Sequence, residues 1–558
     1  MHARVWHRHY LPGVPHSLEY PAIAVHQLLR ATASRHPRQP ALLVYDQAIS
    51  YAGLDTLVDR LAAGLQRLGL RRGDRMAVYL PNCPQLVMAY YAIWRAGGIV
   101  VPVNPMYVGR EVEHQLSNAG AGIALCLSSA YPTIREVRHR TQLEHVIVTD
   151  LQEFAPAGTL TQAGASPAVK EAGVHGFQDT LGGASSYPVE VELAPDDPAA
   201  LMYTGGTTGI PKGARLSQHN VVVNAIQMAA WLQPHLIEGG EVTLSVLPLT
   251  HSYAMTVAMN VSIYRGFSQV LLPHPRCFDD LVGAIQRHRP TFFPGVPSLY
   301  NAINRHAAAS TSALDVRSIK VCISGAAPLP PEVQAEFQRI SGGRLVEGYG
   351  LTEASPVTHC NPVGEGGQAG GIGLPLPDTD CKIVDIDRES EPVPPGQPGV
   401  LCVSGPQVMQ GYWGMPDETR AVLRPDEAGR TWLHTGDVAT MSEDGHFRIV
   451  DRKKDTILTA GGYSIYPREI EDVLYEHPKV MEAAVIGVPP GGTDQRAKAF
   501  IVLRPGEEAT QSEIEEFCRQ RLAPFKVPRR IEFRSELPKS AVGKILRRRL
   551  MEDEATNP

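Results

Sequence analysis

Leu54, Leu57, Leu61, Leu65 and Leu68 recur every three or four residues, which predicts an amphipathic helix, and Gly69 supplies its stop. The apolar run Met76-Ala-Val-Tyr-Leu80 closes at Pro81 and reads as a strand. A second helix is predicted over residues 85–96, after which Gly97-Gly98 leads into the strand-type run Ile99-Val-Val-Pro102. Leu125-Cys-Leu127 and His145-Val-Ile-Val-Thr149 continue the series. Strands separated by amphipathic helices pair in parallel through right-handed crossovers, so the first 150 residues are expected to be α/β.

From 155 to 187 the pattern dissolves into Gly, Ala, Ser and Pro, the texture of an exposed connection. Ala199-Ala-Leu-Met-Tyr203 then predicts a short buried strand feeding a glycine-rich loop. Residues 217–231 follow the loop as a helix capped by Ser217 or Asn220. Further strands are expected at 242–247, 270–272 and 319–323. The last runs into Ser324-Gly-Ala-Ala-Pro328, at the kind of C-terminal sheet edge where open α/β sheets bind ligands. Beyond Gly371 short runs broken by Pro and Gly, such as Gly399-Val-Leu-Cys-Val-Ser404, predict a smaller and mostly antiparallel β unit. The charged patch Asp451-Arg-Lys-Lys-Asp455 is the expected domain boundary, dividing the chain into 1–453 and 454–558. In the second part Ser512 and Glu515 are spaced as a capping box. The helix they open would turn Ile514, Phe517, Cys518 and Leu522 inward and end at Pro524, between strands at 482–486 and 499–503. The expected fold class is α/β: a large N-terminal domain of α/β layers with a small antiparallel β unit, then a smaller α+β domain.

Composition narrows the class of function. A chain of 558 residues exceeds one hydrophobic core. Its 52 basic and 58 acidic residues leave a net charge of −6, which excludes a global affinity for nucleic acid. The eight cysteines include no Cys-x-x-Cys pair, and several stand in apolar runs, as buried thiols in a reducing compartment do. The first residues lack an apolar signal core, and no 18 consecutive residues are apolar. A cytoplasmic enzyme is expected, with peripheral contact at the inner face of the membrane left open. The basic tail (Lys526, Arg529, Arg530, Arg534, Lys539, Lys544 and Arg547–Arg549, against Glu532 and Glu536) reads as a solvated face, with attraction of a phosphorylated ligand or an anionic bilayer as the other reading. Monomer and homodimer both stay open.

Candidate chemistry centres on Tyr203-Thr-Gly-Gly-Thr-Thr-Gly-Ile-Pro-Lys-Gly-Ala214. Gly205, Gly206 and Gly209 free backbone N–H groups, Thr204, Thr207 and Thr208 add hydroxyl donors, and Lys212 adds a mobile positive charge. Such a loop wraps a chain of phosphates. It is not a Walker loop, because Pro211-Lys212-Gly213 stands where Gly-Lys-Ser/Thr is required. In Glu347-Gly-Tyr-Gly-Leu-Thr-Glu353, Gly348 and Gly350 open the backbone around Tyr349 for stacking a purine. Thr352 suits a phosphate, and Glu353 is a hard oxygen ligand of the type Mg²⁺ takes. His434-Thr-Gly-Asp437 offers a carboxylate to ribose hydroxyls. Arg452 lies in the charged patch, and a glycine-containing turn ends in Lys544. Each later piece alone also fits a solvated turn; the order and the set together carry the reading.

These motifs resemble, in order, the core motifs of the adenylate-forming superfamily, which includes acyl-CoA synthetases, peptide-synthetase adenylation domains and luciferases, and the resemblance runs along essentially the whole chain. Val5-Trp-His-Arg8, Gly405-Pro-Gln-Val-Met-Gln-Gly-Tyr-Trp413, Ile449-Val-Asp-Arg-Lys-Lys-Asp455 and Pro538-Lys-Ser-Ala-Val-Gly-Lys-Ile-Leu-Arg-Arg548 are most similar to the bacterial long-chain fatty-acid–CoA ligases. The resemblance implies an acetyl-CoA-synthetase-like fold with a mobile C-terminal domain. It also implies two half-reactions using ATP, Mg²⁺ and coenzyme A: a fatty acid becomes acyl-AMP, then acyl-CoA. Thr204 to Lys212 would hold the β- and γ-phosphates, Thr352 the α-phosphate side, and Glu353 with Thr204 the Mg²⁺. Gly325, Ala326, Ala327 and Glu347 to Tyr349 would enclose adenine, while Asp437 and Arg452 would bind ribose. Lys544 would bridge carboxylate and α-phosphate, completing a catalytic set with Thr204, Lys212, Thr352 and Glu353. His251, Tyr253, Val296 and Gly325 fall where the family lines its acyl site. Lys454 matches the pivot, and Gly462 and Tyr463 the loop that admits pantetheine. An adenylating ligase for an aryl acid or a carrier-protein acceptor, and a non-catalytic nucleotide sensor, are the competing readings.

Overall fold

The computed structural model describes residues 4–154, 171–182, 187–204, 211–274, 277–309, 314–459, 464–490, 495–540 and 543–556. Gly205, Gly206, Thr207, Thr208 and Gly209 of the phosphate loop, and Gly462 and Tyr463, lie outside these residues.

Two sheets with parallel interiors form the large domain. In the nine-stranded sheet, Arg344–Gly350, Val321–Ser324, Phe292–Gly295, Val242–Ser245, Ser268–Leu271 and Pro40–Val44 run parallel, and antiparallel strands close both edges. The seven-stranded sheet is parallel from Val174–Gly176 through Pro198–Thr204 and ends in the antiparallel strand Lys212–Ser217. Helix Pro84–Arg95 is buried along its whole length, and Gln218–Leu232 nearly so, as helices apolar on all sides must be. Hydrogen bonds tie the first of these to both sheets. Trp94 donates to the Ala199 carbonyl at 2.9 Å, and the Asn82 amide just ahead of the helix donates to the Ser245 and Leu247 carbonyls. A five-stranded antiparallel sheet contains Asp380–Val384, Gly399–Ser404, Leu423–Pro425, Thr431–Met441 and Phe447–Arg452.

The smaller C-terminal domain has its own core. Val480–Val488 pairs antiparallel with Arg496–Leu503, which pairs parallel with Arg530–Phe533. Ile470, Leu474, Ile514 and Cys518 pack in one cluster with this sheet, and Phe500, Leu537 and Leu550 pack in another.

Four local expectations change. The phosphate loop joins two strands of a hairpin, because Lys212–Ser217 pairs back on Pro198–Thr204 before the Ser217-capped helix begins. Part of the expected connection is ordered: Val174–Gly176 extends the sheet, and helix Phe177–Gly182 buries Phe177 and Leu181. The helix Gln511–Arg519 is capped by Thr510, whose hydroxyl accepts from Glu513 N at 3.2 Å, so Ser512 lies inside it and it ends before Pro524. The basic tail is largely paired, as Lys526 meets Glu469, Arg534 meets Glu532 and Asp553, and Lys539 meets Glu482. Apart from Glu532, these acidic partners stand on helices Pro467–Tyr475 and Arg547–Thr556 and strand Val480–Val488. Seven of the eight cysteines are buried and none is bonded to another. Among the described residues no helix is long and apolar enough to cross a membrane.

Candidate active site

The hairpin brings Thr204 and Lys212 opposite one another, with the Thr204 hydroxyl 3.5 Å from the Lys212 carbonyl. Residues 409–413 line its outer edge: Trp413 N donates to the Gly213 carbonyl and Arg215 N to the Gly411 carbonyl, both at 2.8 Å. Gly411 is required there, since its φ is +133° and a Cβ would meet Thr419 Cγ2 at 2.6 Å. This edge segment connects two predicted site residues. The Tyr412 hydroxyl donates to Glu353 Oε1 at 2.7 Å, while its ring lies 5.3 Å beneath the Lys212 ammonium. Lys212 is also ion-paired with Glu418, which the loop sequence did not announce.

Thr352 and Glu353 lie in a short helical turn just after strand Arg344–Gly350, and the Ser252 hydroxyl is 3.2 Å from that of Thr352. Tyr253 is buried and donates to the Ile323 carbonyl at 2.7 Å. Its ring lies against Gly325, where a Cβ would approach to 3.1 Å. A π-helical turn, Ala254–Asn260, continues from this point, a departure from α geometry often found beside functional sites. Glu347 is 5% exposed and its carboxylate accepts from Leu329 N at 3.1 Å, which fastens the turn carrying Ala326 and Ala327. Burial pushes its carboxyl up to about 7, opposed by the Arg468 charge. Gly348 and Tyr349 are half-buried and Gly350 is exposed.

The third piece is a link between sheets. Tyr349 donates to Asp437 Oδ2 at 2.5 Å, and Arg452 Nε stands 3.4 Å from Asp437 Oδ1. Asp437 and Arg452 are directly paired across adjacent strands, so two motifs separated in sequence share one register position.

The small domain delivers Lys544 to this place. Its turn is closed by Gly543 N donating to the Ser540 carbonyl at 3.0 Å and Ser540 N donating to the Lys544 carbonyl at 2.8 Å. The turn packs against the large domain, because a Cβ on Gly543 would lie 2.9 Å from Ser298 Oγ and 3.7 Å from Val296 Cγ2. Enclosure lowers the Lys544 ammonium to about 8, the Arg452 charge adds to the shift, and Asp437 opposes it. Burial lowers His251 to about 4, and the neighbouring Lys544 charge contributes. Lys544, His251, Arg452 and Asp437 therefore converge electrostatically, and His251 is neutral at pH 7. Lys454 is shifted down by burial beside Asp455.

Among the described residues no group of three His, Cys, Asp or Glu side chains is placed to hold a metal ion by itself. Glu353 therefore fits Mg²⁺ in the mode that uses one carboxylate and leaves the other positions to substrate phosphates and water. Tyr412 orients this carboxylate by donating to its Oε1. Cations (Lys212, Arg452, Lys544) and hydrogen-bonding groups on both domains can neutralise an oligophosphate and orient a nucleoside.

Known proteins are similar to this chain along nearly its whole length. Residues 29–413 match the AMP-binding enzyme family, and residues 469–544 match the AMP-binding enzyme C-terminal domain. A long-chain-fatty-acid–CoA ligase of Bacillus subtilis is 42% identical, over 99% of this chain and 98% of the relative. One from Escherichia coli is 38% identical over the same shares. Among solved structures, an anthranilate CoA ligase in complex with anthranoyl-AMP superposes with a TM-score of 0.85 at 25% identity, covering 97% of this chain and 98% of that one.

Proposed function

The chain belongs to the AMP-binding enzyme family, and from that premise we propose that it is an ATP-dependent ligase joining a long-chain fatty acid to coenzyme A. The convergence of Lys544 from the small domain on the Tyr349–Asp437–Arg452 link of the large one carries the reading. In the first half-reaction a carboxylate oxygen attacks the α-phosphorus of ATP, the bond to the bridging oxygen breaks, and pyrophosphate leaves with the electron pair. Thr204 and Lys212 hold the leaving phosphates, and Lys212 exchanges Glu418 for them. Thr352, oriented by Ser252, meets the α-phosphate. Lys544 is placed to hold the carboxylate and α-phosphate in line, which supplies the positioning and charge neutralisation this step needs. Asp437 and Arg452 take the ribose, and Tyr349 with Gly325, Ala326 and Ala327 borders the adenine. Glu353 would hold Mg²⁺, which neutralises phosphate charge when bound.

In the second half-reaction the coenzyme A thiol loses its proton, its sulfur attacks the acyl carbonyl, and AMP departs. We place the domain boundary at 454, with Lys454 as the hinge, so that rotation withdraws Lys544 and presents Gly462 and Tyr463 to pantetheine. Neutral His251, Tyr253, Val296 and Gly325 form the acid-binding side. Each methylene in such a pocket is worth about 0.8 kcal/mol, so preference grows gradually with chain length.

An AMP-release assay over acids from acetate to oleate, with and without coenzyme A, tests the proposal. Release that grows toward long alkyl chains and requires coenzyme A for turnover is expected. Reaction confined to aryl or very short acids, or independence from coenzyme A, would replace it with the corresponding rival.

A further inference from the structure

Arg547 lies three residues beyond Lys544 and opens helix Arg547–Thr556. Its guanidinium reaches three carboxylates: Nη1 is 3.3 Å from Asp451 and 3.2 Å from Asp455, and Nη2 is 2.6 Å from Glu471. These partners are well shielded, with side chains 2%, 13% and 13% exposed. They also belong to different bodies. Asp451 sits in strand Phe447–Arg452, paired with the large domain's Thr431–Met441, directly opposite Val438. Glu471 sits in helix Pro467–Tyr475 of the small domain, and Asp455 adjoins Lys454. Asp451 is further pinned by Arg468 N, which donates to its other oxygen at 2.8 Å.

We infer that Arg547 is a positioning residue: it latches the small domain across the hinge in the orientation that presents Lys544, and thereby serves the first half-reaction alone. This inference rests on the two-step function proposed above. Ser540 N bonds to the Lys544 carbonyl and Leu546 N to the Pro538 carbonyl, both at 2.8 Å, so anchoring Arg547 just beyond them holds Lys544 in place. Three carboxylates around one guanidinium also make the latch sensitive. Without Arg547 they repel one another, which drives Asp451 and Glu471 apart and opposes this orientation specifically. When the small domain turns, Glu471 travels with Arg547 whereas Asp451 stays with its sheet. The latch is therefore made in one orientation and broken in the other.

The test separates the half-reactions in Arg547→Gln and in the charge-keeping Arg547→Lys. Pyrophosphate release from ATP and fatty acid should fall about 30-fold in Arg547→Gln, within the span of coupling between switching elements. Conversion of supplied acyl-AMP and coenzyme A to thioester should stay within about threefold, and Arg547→Lys should recover part of the first rate. Adding Arg547→Gln to Lys544→Ala should cost little more than Lys544→Ala alone, since both act through one side chain. Equal loss in both half-reactions, no loss in either, or a multiplicative double mutant would overturn the latch. Failure of the unmodified protein to release pyrophosphate would instead overturn the proposed function itself.

Discussion

The two sides of the site are built in opposite ways. On the large domain, Tyr349, Asp437, Arg452, Thr352 and Glu353 sit on or directly beside strands, Asp437 and Arg452 share one register position, and Tyr349 ties that pair to the neighbouring sheet. On the small domain, Lys544 closes a turn that meets the large domain through Gly543 and a set of ion pairs. One side is fixed by packing and holds its shape; the other is held by charge and can let go. In the proposed mechanism, binding falls to the rigid side and the first chemical step to the releasable side. On the proposed mechanism, that division lets one protein run two successive reactions on one carboxyl group.

The sharpest way to break the contrast is Lys544→Ala. Acid-dependent pyrophosphate release should fall about 10³-fold, the scale for removing a group that meets developing charge. Conversion of supplied acyl-AMP should be nearly unchanged in the same preparation. A comparable fall in both assays would mean that Lys544 supports the fold of the site and not the first step.

Asp437→Asn attacks the rigid side. It removes the charge that holds both the Tyr349 hydroxyl and the Arg452 guanidinium. A charge-assisted hydrogen bond contributes about 1.5–3 kcal/mol, so the KM for ATP should rise about 10- to 100-fold. The change should appear in KM for ATP more than in kcat, and the acyl-AMP assay should suffer too because it uses the same ribose contact. A variant impaired only in kcat of the first step would erase the distinction between the two sides.

The rigid side was also the more legible one. Glu347–Glu353 and His434–Asp437 are short motifs whose residue types declare their chemistry at close spacing. It was the family resemblance, and not their spacing, that paired Asp437 and Arg452 with a common ligand; the structure sets their strands side by side. Tyr412 and Ser252 were not legible, because they act on Glu353 and Thr352 across 59 and 100 residues. The glycine before Tyr412 was the available signal, since a tight backbone approach at Gly411 is what delivers that ring. Lys212–Ser217 escaped as a strand because Lys-Gly-Ala-Arg-Leu-Ser does not alternate cleanly, and its pairing with Pro198–Thr204 decides the matter. Val174–Gly176 is too short to show any period. On the small domain the basic tail hid its function by composition. Only the fold shows that Arg547 is enclosed by carboxylates while Lys544 three residues away stands at the site.

A pH profile sharpens the contrast without changing a residue. Lys544 acts as a cation, and its ammonium is lowered to about 8. Below that pH it stays charged, so kcat/KM for adenylation should be level through neutrality. Above it the rate should fall by about tenfold per pH unit as the proton is lost. His251, lowered to about 4, is neutral throughout this window and adds no limb. The second half-reaction should lack the alkaline decline because Lys544 has withdrawn. A shared decline would assign the titration to something both steps use.

The smallest effect separates the small domain's own stability from its docking. Thr510 caps helix Gln511–Arg519, whose Ile514 and Cys518 pack in a different cluster from Leu537 and Ile545, which flank the Lys544 turn. Thr510→Ala should destabilise the helix by about 1 kcal/mol, read as an approximately fivefold loss of amide protection across it in hydrogen exchange. Ser512→Ala should change little, because no amide is bonded to that hydroxyl once Thr510 holds the cap. Both half-reactions should proceed at their usual rates in either variant. The domain can lose a kilocalorie or so of internal stability and still dock, provided that the charges around Arg547 are intact. If weakening the cap slowed adenylation selectively, docking and internal packing would be one property, and the division between a packed side and a charge-held side would fail.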